Sequence, residues 1–187
     1  MPADPAAHSN IAAHSHTAEP GGGSDGVARL SHLDSSGRAQ MVDVGAKPVT
    51  RRRAVAAGTF HTSAQVIDLL RDSSLPKGDV LVTARIAGIM AAKRTDALIP
   101  LCHQLALSAV DIDFTVGADH IDIVASVETS GPTGVEMEAL TAVAVAGLTL
   151  HDMTKAVDRY GRLDGVRLIE KSGGRSGTWR RDDAEGS

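Results

Sequence analysis

Residues 133–155 constrain this chain more than any other stretch. Thr133-Gly-Val-Glu-Met-Glu-Ala-Leu-Thr141, running on to Leu150-His-Asp-Met-Thr-Lys155, reads as one long helix rich in Ala, Val and Leu. Its ionisable side chains stand only at its ends: Glu136 and Glu138 at the start, His151, Asp152 and Lys155 at the finish. A helix this apolar has to be buried. Charges at the ends of a buried helix are costly unless they are paired, capped or used. Both ends are therefore candidate site material.

The rest of the composition sets the frame. With 187 residues, 42% hydrophobic, 22% charged and a net charge of -4, the chain suits one globular domain of about 150 residues plus a tail. Aromatic residues make up only 2%: Phe60, Phe114, Tyr160 and Trp179. The core must then be built from small aliphatics, which lets helices approach a sheet closely, and burial between subunits can recover the missing apolar area. The acidic balance argues against a general nucleic-acid binder, and no apolar run reaches the ~20 residues of a membrane span. Cys102 is the single cysteine, so no internal disulfide forms and a reducing compartment is expected. The first positive side chain is Arg29. Neither a secretory signal nor a transit peptide is expected, and cytoplasm is the default location.

Residues 1–28 are rich in Ala, Gly, Ser, His and Pro, with Gly21-Gly-Gly-Ser24 as a linker, and are expected to be a disordered tail. His8, His14 and His16 could chelate a metal by proximity; a floppy tail is the plainer reading. Residues 179–187 are expected to be a loose C-terminal tail. Between them, 29–178 form the folded domain. β-type alternation covers Arg51 to Thr62. Ser63 can cap a short helix over Ala64 to Arg71. Pro76-Lys-Gly-Asp79 opens a second helix running to about Leu98, stopped by Pro100. Val110, Ile112, Phe114 and Val116 alternate with polar residues, the chain turns at Gly117-Ala-Asp-His120, and Ile121, Ile123, Ala125 and Val127 mark the returning strand. After the long helix, Val166 to Glu170 forms a last strand. The order β-α-α-β-β-α-β predicts an α+β fold: a ferredoxin-like split β-α-β sandwich, an antiparallel sheet packed with helices, with an extra helix.

Five constellations could carry chemistry. Thr133-Gly-Val-Glu136 fits a capping box in which Glu136 reaches back to the Thr133 amide; Glu138 has no such explanation and reads as functional. Asp152 and Lys155 share a helix face at i,i+3. On spacing alone that is a surface salt bridge, worth little, while in a pocket it would be an acid/base couple. Glu138 and Asp152 lie fourteen residues apart, about 21 Å along a straight helix. They cannot grip one small reacting centre within one chain: the ligand is long, or there are two sites, or one site is assembled across a subunit interface, which is the favoured reading. Leu101-Cys-His103 offers His103 as a donor or acid/base group, or as a satisfied core histidine; a thiol nucleophile or zinc site is poorly supported, because adjacent side chains on extended backbone point apart. Lys77-Gly-Asp79 at a helix start suits an anion such as phosphate, with Asp79 as cap. Glu170-Lys-Ser-Gly-Gly-Arg-Ser-Gly177 reads as a phosphate cradle or a flexible basic turn, and lacks the P-loop order.

Several of these segments resemble one family. Met41-Val-Asp-Val44, Lys77-Gly-Asp-Val80, Thr83-Ala-Arg-Ile-Ala-Gly88, Ala92-Lys-Arg-Thr95, Ile99-Pro-Leu-Cys-His103, Thr133 to Thr141, Asp152-Met-Thr-Lys155 and Lys171-Ser-Gly-Gly174 are similar to the MoaC family, the cyclic pyranopterin monophosphate synthases of molybdenum cofactor biosynthesis. The resemblance spans roughly residues 30 to 177. It implies a lyase that rearranges a 3',8-cyclised dihydro-GTP, made by a radical S-adenosylmethionine enzyme, to cyclic pyranopterin monophosphate with release of diphosphate. It implies no redox cofactor, with Mg2+ able to accompany the triphosphate, and a homohexamer built as a trimer of dimers with active sites at the dimer interface. Carried over by motif, Asp152 is the active-site acid/base and Lys77 and Lys155 are the catalytic lysines. Leu101, Cys102, His103, Met137 and Glu138 bind substrate, and Glu136 and Lys171 line the pocket; no metal ligand is implied. Two positions depart from the pattern. Gln104 stands where many relatives have Pro, and Arg175 where some have Lys, a change that keeps charge but not geometry. The rival reading is a non-catalytic nucleotide-sensing module on the same fold.

Overall fold

The protein is described by a computed structural model covering residues 36–75 and 77–182; the expected 1–28 tail lies outside the described residues. The elements are β1 (Thr50–His61), α1 (Ala64–Arg71), α2 (Val80–Ala92), α3 (Thr95–Leu98), β2 (Leu107–Val116), β3 (His120–Gly131), α4 (Glu136–Thr154), β4 (Arg162–Ser172) and β5 (Trp179–Arg180). The strands form one sheet in the order β2-β3-β1-β4-β5, antiparallel at every step. This is the ferredoxin-like α+β arrangement the sequence predicts, with helices packed on the sheet.

Period-2 alternation decides which face is covered. Ala54, Ala56 and Phe60 of β1, Ile121, Ile123, Ala125 and Val127 of β3, and Ile112 of β2 are all buried. Onto them packs α4, through Ala139, Ala142, Val143, Ala146 and Leu150. The register runs without interruption from Thr50↔Gly131 to His61↔His120, so β1 and β3 deliver their ends, and the loops beyond them, at fixed positions.

Small residues let α2 lie close on α4. A Cβ at Gly88 would come within 2.4 Å of Ile112 Cδ1 and 2.8 Å of the Ala142 carbonyl oxygen. The opposite face of α2 presents Val82, Ile86 and Met90, each roughly half exposed at 45%, 54% and 47%. The helix is thus apolar on both sides.

Three local expectations are corrected. The second helix does not continue to Leu98: it ends at Ala92 and restarts as the single turn α3. The buried Thr95 hydroxyl faces the Ala91 and Ala92 carbonyls at 3.4 and 3.1 Å, satisfying the groups that a helix end leaves open. The capping box at Thr133 does not form, since α4 begins at Glu136 with Val135 at the N-cap and no side-chain cap; Glu136 is engaged by Lys171 instead, at 3.2 Å. The tail expected to be loose from 179 is paired at its start. Trp179 and Arg180 pair with Lys171 and Glu170 as an edge strand, fixed by Arg180 Nε donating to Glu170 Oε2 at 2.9 Å. No helix among the described residues is long and apolar enough to cross a membrane.

Candidate active site

The two ends of α4 carry different chemistry. At the C-terminal end Asp152 stands on the last turn and Lys155 at the C-cap. Lys77 reaches the same place from the segment ahead of α2. Gly78, at φ +83°, turns the chain there, and Asp79 starts α2 by accepting from the Val82 amide at 3.0 Å, as the sequence predicts for that cap. Lys77 Nζ donates to Asp152 Oδ2 at 2.8 Å and to the Asp152 main-chain oxygen at 2.7 Å. Lys155 Nζ lies 2.7 Å from Asp152 Oδ1. The ammonium of Lys77 is thus engaged by α4 rather than waiting at the α2 amides. Hydrogen bonds from Lys155 first and Lys77 second, with their charges, hold the Asp152 carboxyl down at about 2. All three side chains remain open to solvent.

At the N-terminal end, two carboxyls differ. Glu136 pairs with Lys171. Glu138 is 4% exposed and makes no salt bridge among the described residues. Burial pushes its carboxyl up to about 7; a hydrogen bond to its own backbone opposes this, and Glu136 and Asp96 add to it. Met137 between them points outward and is partly exposed. Cys102 is half-buried, and burial first, then Glu138 and Asp96, push its thiol up. A raised thiol is a poor nucleophile. Leu101 is half-buried beside it. His103 Nε2 lies 2.7 Å from the Val42 carbonyl oxygen, so this nitrogen donates to backbone and fixes the ring.

Beside this end opens a cavity of about 720 Å³, lined by Lys47, Thr50, Arg52, Pro132, Thr133, Gly134, Gly174 and Arg175 among others. Arg52, Glu136 and Lys171 line the adjoining recess. Arg52 builds the wall: Nε donates to the Gly131 oxygen at 2.9 Å and a terminal nitrogen to the Pro132 oxygen at 3.0 Å. The facing loop turns on Gly173 and Gly174, at φ +95° and +72°. A Cβ on Gly173 would come within 2.1 Å of the Arg51 carbonyl oxygen, and one on Gly174 within 2.2 Å of the Arg52 guanidinium. Thr50 Oγ1, on the same wall, is buried without a hydrogen-bond partner among the described residues.

The structure therefore brings the predicted residues together in two groups: Lys77, Asp152 and Lys155 in one, and Glu136, Glu138, Met137, Cys102 and Lys171 at the other end of a 19-residue helix. The sequence reading missed Arg52 and Lys47. The available signal was Arg51-Arg52-Arg53 opening an otherwise apolar strand, where alternation must send one guanidinium toward the helix side.

The frame is a ferredoxin-like α+β sandwich in which one carboxylate, Asp152, is paired with two lysines. The profile of the MoaC family matches residues 41–174, and the chain belongs to that family. It is 62% identical over 152 residues to cyclic pyranopterin monophosphate synthase 2 of Mycobacterium tuberculosis, covering 81% of this chain and 91% of that protein. It is 57% identical to the cyclic pyranopterin monophosphate synthase of Novosphingobium aromaticivorans, over 81% of this chain and 96% of that one. It is 56% identical to the enzyme of the same name from Thermomicrobium roseum, over 85% and 97%.

Proposed function

We propose that this chain is a lyase of the phosphorus–oxygen type, acting in molybdenum cofactor biosynthesis. It converts (8S)-3',8-cyclo-7,8-dihydroguanosine 5'-triphosphate to cyclic pyranopterin monophosphate and releases diphosphate. One observation carries the reading. The helix that ends on Lys77, Asp152 and Lys155 begins beside a cavity lined by Lys47, Arg52 and Arg175, with Lys171 in the adjoining recess. Opening and rebuilding a purine-derived ring calls for several proton transfers, and a triphosphate calls for cations. Lys77 and Lys155 are the catalytic lysines in this reading. Leu101, Cys102, His103, Met137 and Glu138 bind substrate, and Glu136 and Lys171 line the pocket.

The two groups are about 21 Å apart along α4, so one substrate meets both only if a second copy supplies one of them. The chain works as a homo-oligomer, a hexamer arranged as a trimer of dimers, in the cytoplasm, on a small-molecule substrate rather than nucleic acid or membrane. It needs no redox cofactor, and Mg2+ accompanies the triphosphate where present. The rival, a nucleotide-sensing module, needs cations for phosphate but has no use for a carboxylate gripped by two lysines.

The deciding measurement is diphosphate release from the cyclised dihydro-GTP by wild type and by Lys77→Ala. Release by the wild type alone supports the synthase and the role of Lys77. Release by neither moves the weight to sensing. Release that stops on adding a strong chelator in the absence of Mg2+ would reopen a zinc-dependent reaction at Cys102 and His103.

A further inference from the structure

The sign of the charge at the end of α4 is opposite to what helix stability asks for. The last turn of a helix carries exposed carbonyl oxygens and the negative end of the dipole, so cations are favoured there and a carboxylate is not. Asp152 sits in that turn all the same. Two ammonium groups correct the imbalance. Lys155, one turn on, takes Oδ1 at 2.7 Å, and Lys77, from a different part of the chain, takes Oδ2 at 2.8 Å while also donating to the Asp152 carbonyl at 2.7 Å. Each carboxylate oxygen thus has its own lysine. His151, the residue before Asp152, is turned away, with Nδ1 3.0 Å from the Gly161 carbonyl oxygen.

Without the Asp152 carboxylate, Lys155 would lose its partner here and Lys77 would keep only the Asp152 main-chain oxygen. Lys77 lies 75 positions from Asp152 along the chain, and the long lysine stem has rotamer freedom that only a specific partner removes. A carboxylate held this way stays ionised through the neutral range. An acid/base group works best when its proton is exchangeable near the working pH, and the chemistry here suits the opposite task.

We propose that Asp152 is a positioning residue: a permanently ionised yoke that holds the Lys77 and Lys155 ammonium groups at one locus, and that it carries no proton during turnover. This refines, and rests on, the reading of Lys77 and Lys155 as the catalytic lysines. Removal of the carboxylate releases Lys155 and leaves Lys77 on the Asp152 main-chain oxygen alone; a displacement of about an ångström at a reacting centre costs about 100-fold.

The test compares wild type, Asp152→Asn and Asp152→Glu in diphosphate release across pH. The expected result is a fall in kcat of about 100-fold for Asn with KM little changed, partial recovery in Glu, and an acidic limb with the same midpoint in all three. Loss of the acidic limb in Asn, with the limb present in wild type, would overturn the proposal, because the titrating group would then be Asp152 itself. Should Asn show no measurable turnover, 13C-carboxyl NMR of the full-length, substrate-free protein decides, with the Asp152 signal identified by its absence in the Asn variant. That signal is expected to stay flat between about pH 4 and 9, and a midpoint inside that window overturns the yoke. Failure of the synthase reading looks different: wild type would release no diphosphate at any pH, while the carboxyl titration would still read out.

Discussion

Glu136 and Glu138 stand two residues apart on the first turn of α4 and meet opposite surroundings. Glu136 spends its charge on Lys171, while Glu138 turns inward and is buried beside Cys102, Asp96 and Glu136, with no salt bridge among the described residues. A carboxyl whose folded value is raised to about 7 from 4.5 keeps its proton longer in the folded chain than in the unfolded one. The folded state therefore gains nothing from Glu138 as pH rises, and loses stability from about 4.5 up through about 7. Glu138→Gln should match wild type in thermal stability at pH 4 and exceed it by roughly 1–3 kcal/mol at pH 8. Melting curves of both proteins at the two pH values check this; equal stability at pH 8 would show that Glu138 is ionised at no cost.

The α2–α4 contact is sensitive to one methyl group. Alanine in place of Gly88 gains about 1 kcal/mol of helix propensity. The added Cβ, however, meets the Ala142 carbonyl oxygen at 2.8 Å, and backbone cannot step aside as a side chain can. Overpacking of this kind costs about 1–3 kcal/mol, so the clash wins. Gly88→Ala should lower the urea midpoint. Because Lys77 precedes α2 and Asp152 ends α4, it should also lower diphosphate release more than its stability loss explains.

Arg52 holds the wall of the cavity through two main-chain carbonyls, those of Gly131 and Pro132. Hydrogen bonds from a charged donor are worth about 1.5–3 kcal/mol. Arg52→Ala should raise the concentration at which diphosphate or substrate binds by ten- to a hundred-fold, measured by calorimetry. Arg52→Lys should rescue little, since one ammonium cannot serve the two carbonyls in the planar fork geometry. Full rescue by Lys would mean that charge alone is needed there.

The outward stripe of Val82, Ile86 and Met90 recurs every fourth residue on α2, so it lies on one side of the helix. If a second copy covers it, a charge in the middle should prevent assembly. Ile86→Glu is expected to reduce the particle mass seen by light scattering while leaving the far-ultraviolet circular dichroism of the fold intact. An unchanged mass would place the subunit contact elsewhere.

Much of this architecture is legible in the sequence because its signals are local. Ser63 followed by Ala64 to Arg71 marks α1 at the boundaries found. The alternation either side of Gly117-Ala-Asp-His120 marks the β2–β3 hairpin, and the uncharged run from Ala139 to Thr149 marks the buried helix. What escaped is set by distant partners. The break after Ala92 depends on where the Thr95 hydroxyl falls once α3 is packed. The failed capping box depends on Lys171, 35 positions away from Glu136 along the chain. Arg52 reads as a strand residue until Gly131 and Pro132 are placed beside it. The grip of Lys77 on Asp152 is likewise invisible: Lys155 is within one helical turn of Asp152, so spacing alone pairs the two, whereas Lys77 arrives by the fold.

β5 has a consequence for how this protein can be watched. Trp179 is the single tryptophan; it lies on that two-residue edge strand, opposite Lys171 and with the Arg181 guanidinium 5.9 Å from its ring. It is 40% exposed, whereas the core proper holds Phe60 as its buried aromatic. Indole emission therefore reports the sheet margin beside the glycine loop rather than the interior. A spectral change on adding an anion, with no change in the backbone signal, would register movement at that margin alone.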